Sequence, residues 1–291
     1  MGQYAKHAND FSFSDADFCL IADFAKEQFG LDLQLSKKPL VYSRVSKRLR
    51  ALGHKSFSEY CSFLKDRSDV EETNQLLSAL TTNVTHFFRE NHHFAYLAES
   101  VAPALFRRAQ AGESIRIWSA ACSAGQEAYC IAATLLALEP ELSEFDVRIL
   151  ATDIDPKIIE TAKHATYGIE QKKAIPENFQ RLMIQDVDST YSIQMTDQLR
   201  RLISFAELNL IHDWPMRRKF DVIFCRNAAI YFGKETQAIL WDRFAGALKE
   251  DGYLMIGHSE RLSGKAERLF SSVGITTYKR HPEQNANARG D

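Results

Sequence analysis

Ile115-Arg116-Ile117-Trp118-Ser119-Ala120-Ala121-Cys122-Ser123-Ala124-Gly125-Gln126-Glu127 is the stretch on which the fold turns. Residues 115–118 read as a short apolar strand. The small residues behind them run directly into an amphipathic helix over Gln126–Leu138. Small residues between a strand and a helix let a ligand approach the backbone, and the helix N-terminus favours a carboxylate or phosphate. Gly125 is the only glycine here, so the G-x-G-x-x-G pattern fails, which argues against a pyrophosphate cofactor. Taken alone, the segment is equally compatible with a tight turn that binds nothing.

Downstream, the alternation continues. Residues 147–151, 203–205, 220–225, 253–256 and 275–278 are strand candidates, and helical periodicity covers 156–163 and 234–248. Strands alternating with helices predict a largely parallel, doubly wound α/β sheet. Residues 168–204 break the rhythm with a polar stretch and a β-like run at 189–195, as a small β-subdomain insertion would. The polar, aperiodic residues 282–291 are expected to be a disordered tail. Upstream, one helix is predicted through Phe94, Leu97, Val101 and Leu105. The first eighty-odd residues read as helices only: Ser14 with Asp17 and Ser56 with Glu59 are capping-box pairs, and Gly30 and Gly53 are stops. The expected domains are therefore helical 1–85 and α/β 86–281.

Composition narrows the function classes. With 45% hydrophobic residues, 25% charged residues and a net charge of −2, nothing global draws the chain to nucleic acid. No apolar run reaches bilayer length, and the first ten residues are polar, unlike a signal peptide. The five cysteines are scattered with no C-x-x-C pair, which suggests neither a disulfide framework nor a zinc site and fits a reducing cytoplasm.

Chemistry-bearing residues gather where strands end. Asp153, at the tip of the second strand, is placed to accept ribose hydroxyls, whereas Asp155 before Pro156 suits a helix cap. Arg226 and Asn227 close the strand Phe220–Cys225, and Tyr231 follows. The lack of an Asn-Pro-Pro-Tyr or Asp-Pro-Pro-Tyr string there counts against a nucleic-acid amine methyltransferase. Read in isolation, Tyr231 is as well explained by a core ring with a wet hydroxyl. His92 and His93 are expected on a helix surface without a third metal ligand, so no metal is expected. His258 fits an orienting role or a structural one equally well.

Taken together, these segments resemble the CheR family of chemoreceptor glutamate methyltransferases. The resemblance rests on Thr81-Thr82-Asn83-Val84-Thr85-His86-Phe87-Phe88-Arg89-Glu90, Trp118-Ser119-Ala120-Ala121-Cys122-Ser123, Thr152-Asp153-Ile154-Asp155, Phe224-Cys225-Arg226-Asn227, Ile230-Tyr231-Phe232 and Gly257-His258-Ser259-Glu260, in family order. It implies a class I methyltransferase sheet whose last strand is antiparallel, preceded by an all-α receptor-facing domain. It also implies S-adenosylmethionine as donor, S-adenosylhomocysteine as product and glutamates in the cytoplasmic helical domain of chemoreceptors as acceptors. Carried across, the donor contacts are Asn83, Thr85, Arg89, Glu127, Asp153, Asn209, Leu210, Arg226 and Asn227, with Arg89 and Tyr231 nearest the methyl group.

The sequence departs from the family where Gln126 and Ala128 replace the usual Glu and Pro, although Glu127 remains. Ala228-Ala229 is smaller than the usual bulky pair. Some members bind a receptor-tail pentapeptide at the insertion and have a glycine-rich turn there. Asp186-Val187-Asp188-Ser189 has no glycine, so no such tether is expected. Arg44, Lys47 and Arg48 fall on one side of a helix over 37–52, a basic face through which an acidic chain could meet acidic receptor helices. Three other readings remain open: a methyltransferase with another acceptor, a catalytically silent receptor adaptor and a nicotinamide oxidoreductase.

Overall fold

The computed structural model describes residues 11–66, 69–81, 83–185 and 190–282. It divides into two compact units, Met1–Thr82 and Asn83–Asp291, a break slightly earlier than the expected one after residue 85.

The first unit is helical: α1 (Asp15–Phe29), α2 (Lys38–Leu52), α3 (Phe57–Lys65) and α4 (Val70–Leu80). Ser14 and Asp17 form the reciprocal capping box, and Gly30 and Gly53 end α1 and α2 in the left-handed conformation. Ser56 caps α3, but Glu59 reaches back one residue further, to the Lys55 N–H. Phe18, Ile21, Val45, Leu49, Tyr60 and Leu76 form the apolar interior. Inside it, buried Glu72 accepts from the Tyr60 hydroxyl at 2.7 Å and from the Arg48 guanidinium. Arg44 donates to the carbonyls of Ala79, Leu80 and Thr81. Of the three cations expected to face a receptor, two therefore tie α2 to α4, and Lys47 is the exposed one. The correction has a simple cause: a helical repeat gives the side on which cations fall, and the neighbouring helix decides whether that side meets solvent.

The second unit opens with α5 (His92–Tyr96), a π-helical turn over Leu97–Val101 and α6 (Ala102–Gln110). The single helix expected there is thus interrupted just before Pro103, a residue with no N–H to continue the ladder. The α/β layers follow: β1 (Ile115–Ala120), α7 (Gln126–Leu138), β2 (Val147–Asp153), α8 (Pro156–His164), then β6 (Ile203–Glu207), β7 (Phe220–Cys225), α11 (Lys234–Ala247), β8 (Leu248–Ile256), α12 (Ala266–Leu269), β9 (Phe270–Gly274) and β10 (Thr277–Arg280). Between α8 and β6 lies the insertion, with β3 (Thr166–Gly168), α9 (Glu177–Met183), β4 (Ile184–Gln185), β5 (Ser192–Met195) and α10 (Asp197–Leu202).

The main sheet runs β6-β2-β1-β7-β8-β10-β9. The first five strands are parallel, and β10 lies antiparallel to both β8 and β9. Alternate residues feed two cores: Ile117, Val222 and Phe224 face one, Trp118, Ile223 and Cys225 the other. The insertion is a three-stranded antiparallel sheet, β3-β5-β4. The glycine-free turn at 186–189 lies outside the described residues, as does 283–291. One strand expectation needs correcting. Ile275 is not in a strand but exposed in a hairpin turn, with Thr276 at φ 47°, so of the expected run only Thr277 and Tyr278 are strand, at the start of β10, and β9 precedes the turn. An apolar residue at a turn mimics strand alternation.

Candidate active site

The parallel strands end together, and their last residues supply the site. After β1 the chain turns through Ala121 and Ser123, both left-handed at φ 58° and 51°, into Gly125 at φ 91°, which starts α7. A Cβ on Gly125 would stand 2.9 Å from the Ala162 Cβ and 3.2 Å from the Phe205 ring, so only glycine fits. Asp153, at the tip of β2, accepts from the Ser123 N–H at 2.8 Å and the Asp155 N–H at 3.1 Å. Burial pushes its carboxyl up to about 6, against the pull of those amides. Asp155 caps α8 by accepting from the Lys157 N–H, as expected, and its other oxygen takes the Asn83 amide at 3.2 Å.

Glu127, on the first turn of α7, accepts from the Ser119 hydroxyl at 2.7 Å and from Arg226 at 3.1 Å. Burial raises its carboxyl, with Arg226 working the other way. Arg226 is the hub here: its guanidinium also donates to the Arg89 carbonyl, lies over the Phe94 ring, and has Nε 3.5 Å from Glu90. Burial alone would raise the Glu90 carboxyl, but the His258 bond at 2.9 Å, Arg226 and Asn227 hold it at about 2. Phe88, Glu90 and Asn227 are left-handed too, so five of the eight such non-glycine residues among those described stand at this edge. Backbone strain concentrated in one place marks a site whose surroundings hold it there.

Several expectations are decided by this geometry. Asn83 and Asp153 share Ser123 and Asp155 as partners, Glu127 and Arg226 bond directly, and Arg226 and Asn227 share Glu90. Arg89 has no carboxylate partner among the described residues; it donates to the Val84 carbonyl at 3.3 Å. Tyr231 is 37% exposed, which removes the reading of it as a core ring. Thr85 is half-buried beside the same segment, and Leu210 is buried. The loop of Asn209 and Leu210 is pinned by Arg243, which bonds the Leu210 and His212 carbonyls and covers the Trp214 ring.

The two histidines need correcting. His93 is fully buried, its Nε2 3.0 Å from the Thr276 hydroxyl, and burial lowers its pKa to about 3. Glu90 does supply a third ligating atom near His92 and His93. Arg226 already stands beside that oxygen, however, so a cation there would face a guanidinium. Sequence reasoning also passed over Glu90 and Glu260, which the structure bonds to the loop of Arg226 and Asn227. Both stood in quoted motif strings, but their partners lie more than a hundred residues away or on a separate loop.

The arrangement suits a ligand with hydrogen-bond donors: Glu127 and Asp153 bring two carboxyls to this edge, Glu127 beside the guanidinium of Arg226. A doubly wound sheet with one antiparallel strand beside its edge, and this arrangement at the strand ends, defines a class I S-adenosylmethionine-dependent methyltransferase. Residues 83–279 match the CheR methyltransferase SAM binding domain, and residues 16–81 match the CheR methyltransferase all-alpha domain. A probable chemotaxis protein methyltransferase of Rhizobium etli is 47% identical, with 86% of this chain and 94% of that one covered. Chemotaxis protein methyltransferase 2 of Pseudomonas aeruginosa is 38% identical (92% and 94% covered), and the Escherichia coli chemotaxis protein methyltransferase 37% (92% and 91%). The chain belongs to the CheR methyltransferase family.

Proposed function

We propose that this methyltransferase esterifies glutamate side chains in the cytoplasmic helical domain of chemoreceptors, using S-adenosylmethionine and releasing S-adenosylhomocysteine. The observation that carries the reading is that both domains of the family match in order, from residue 16 to residue 279. When bound, S-adenosylmethionine supplies a methyl group on a sulfonium. Asp153 accepts the ribose hydroxyls, and Glu127 meets the donor's amino group. Asn83, Thr85, Asn209, Leu210, Arg226 and Asn227 complete the donor site. A glutamate carboxylate, with a reference pKa of about 4.3, is already ionised at neutral pH, so the chain need supply no general base. Arg89, which has no acid partner among the described residues, orients that carboxylate, and the Tyr231 hydroxyl stands beside the transferring methyl. Catalysis is then alignment and exclusion of water. The chain works in the cytoplasm; among the described residues no helix is long and apolar enough to cross a membrane.

The test is transfer of labelled methyl to receptor-containing membranes with a base-labile product, since esters hydrolyse in alkali and N-methyl groups do not. Arg89→Ala and Tyr231→Phe should lower turnover well beyond any change in melting temperature. Normal turnover of both at saturating donor would remove them from the site. For the insertion, a free receptor-tail pentapeptide should show no useful affinity, and micromolar binding by calorimetry would reverse that reading.

A further inference from the structure

Glu260 is 2% exposed, and its carboxylate is given over to backbone amides. Oε2 accepts from the Gly257 N–H at 2.5 Å and the Asn227 N–H at 3.1 Å, and Oε1 accepts from the Ile230 N–H at 3.3 Å. The Ala229 N–H faces the same group. Two loops are therefore held by one side chain. One follows β8 and carries Gly257; the other follows β7 and carries Arg226, Asn227 and Tyr231. Successive N–H groups curled round an anion form a nest, and here the anion belongs to the chain itself.

The clasp is close-fitting. A Cβ on Gly257 would stand 2.6 Å from the Asn227 amide nitrogen, 2.8 Å from its backbone nitrogen and 2.9 Å from Glu260 Oε2. Asn227 is held left-handed at φ 59°, an arrangement that converging amide dipoles would not keep without an acceptor between them. The 3₁₀ turn Ala229–Tyr231 starts inside this cluster, so the course of the chain to the Tyr231 ring is set there. Burial raises the Glu260 carboxyl, while the bonds from those amides favour its ionised form. The guanidinium of the next residue, Arg261, goes to the His258 and Glu260 carbonyls rather than to this carboxylate.

We propose that Glu260 is a positioning residue of the transfer site: its buried carboxylate, clasped by the amides of Asn227, Ile230 and Gly257, fixes the loop that presents Asn227 and Tyr231. The inference rests on the reading that Tyr231 works beside the methyl group. Glu260→Gln turns two N–H donors toward groups that themselves donate, with hardly any change in volume. In the full-length protein, kcat for receptor methylation should fall by about tenfold or more, and S-adenosylhomocysteine affinity should fall less. The loss should be shared with Tyr231: the Glu260→Gln/Tyr231→Phe double variant should be within about twofold of the slower single variant.

Hydrogen exchange supplies a second measurement that does not depend on turnover. The Asn227 and Ile230 amides should be protected in the unmodified protein despite lying in a loop. They should exchange about tenfold faster in Glu260→Gln, with β1 unchanged. A double variant as slow as the product of the two single effects would overturn the proposal. So would unprotected Asn227 and Ile230 amides in the unmodified protein, a result available even if Glu260→Gln fails to fold. Normal turnover by Tyr231→Phe alone would count against the reading of the transfer site, leaving exchange to decide the role of Glu260.

Discussion

The two ends of the main sheet both bury charge, and they do it differently. At the N-terminal end, Asp221 at the start of β7 accepts from Arg108 at 2.7 Å, from Lys249 at 2.9 and 3.0 Å and from the Arg116 N–H at 2.8 Å. A cavity of about 300 Å³ opens beside it, but its lining cations are answered, Arg108 and Lys249 by Asp221 and Lys279 by Asp251. At the C-terminal end, Glu90 Oε2 stands 3.5 Å from Arg226 Nε and 3.7 Å from His93 Nδ1, contacts looser than hydrogen bonds, and Glu90 and Asn227 are left-handed. The first cluster is closely hydrogen-bonded, whereas the second is held by looser ion pairs.

Substitutions can break that contrast. Asp221→Ala should have the largest effect, leaving Arg108 and Lys249 without their shared carboxylate. Breaking a buried pair costs about 3–5 kcal/mol, and the lower figure is expected because the two cation side chains are 34% and 32% exposed and can rehydrate. Denaturant unfolding should show the loss, while S-adenosylhomocysteine affinity of the folded protein stays near that of the unmodified chain. If affinity falls as steeply as stability, the two ends are not separable.

Asp153→Asn should do the reverse. Losing one charged hydrogen bond costs about 1.5–3 kcal/mol, or roughly 10- to 150-fold in affinity by calorimetry. Stability at neutral pH should hold or rise. The folded carboxyl titrates at about 6, above its unfolded value, so the ionised form opposes folding above that pH. Unchanged affinity would remove Asp153 from the ribose.

The same carboxyl sharpens the contrast through pH. If the bound ribose needs the carboxylate, the complex titrates below the free protein. Affinity should then be flat above about pH 6 and fall by about tenfold per unit below it. Asp153→Asn should flatten that profile; a parallel slope in the variant would assign the titration to another group.

Lys47→Glu should have the smallest effect. Arg44 and Arg48 hold α2 to α4, so reversing all three charges would disturb the helical unit itself. Lys47 alone is a clean probe of receptor encounter. An exposed charge contributes about 1 kcal/mol or less, so methylation of receptor membranes should fall by no more than about fivefold, mainly at low salt. No change at any ionic strength would leave α2 as ordinary surface.

Much of this was legible in the residues. Alternation and caps located β1, α7, β2, α8, β7 and α11 to within a few residues, because local bonding and the polarity of each face fix such elements. Asp153 and Asp155 could be told apart because Pro156 marks where the helix starts. The turn at 275–276 and the strand β9 before it were not legible, since exposed Ile275 looks like a strand residue until its neighbours are known. Nor was the burial of His93, whose environment is supplied by Thr276, Phe224 and Arg226.

By itself, the sequence determined the alternation of the central strands and helices, the turn after β1 and the carboxylate at the tip of β2. Each follows from short-range bonding and the spacing of apolar residues. Only the tertiary structure decided which partners the buried charges meet. Glu90 meets Arg226 and His258, and Glu260 gathers the amides of Asn227 and Ile230, across separations that no local pattern records. A buried polar group takes its role from the partners that desolvation forces upon it, and those partners arrive only when the sheet assembles.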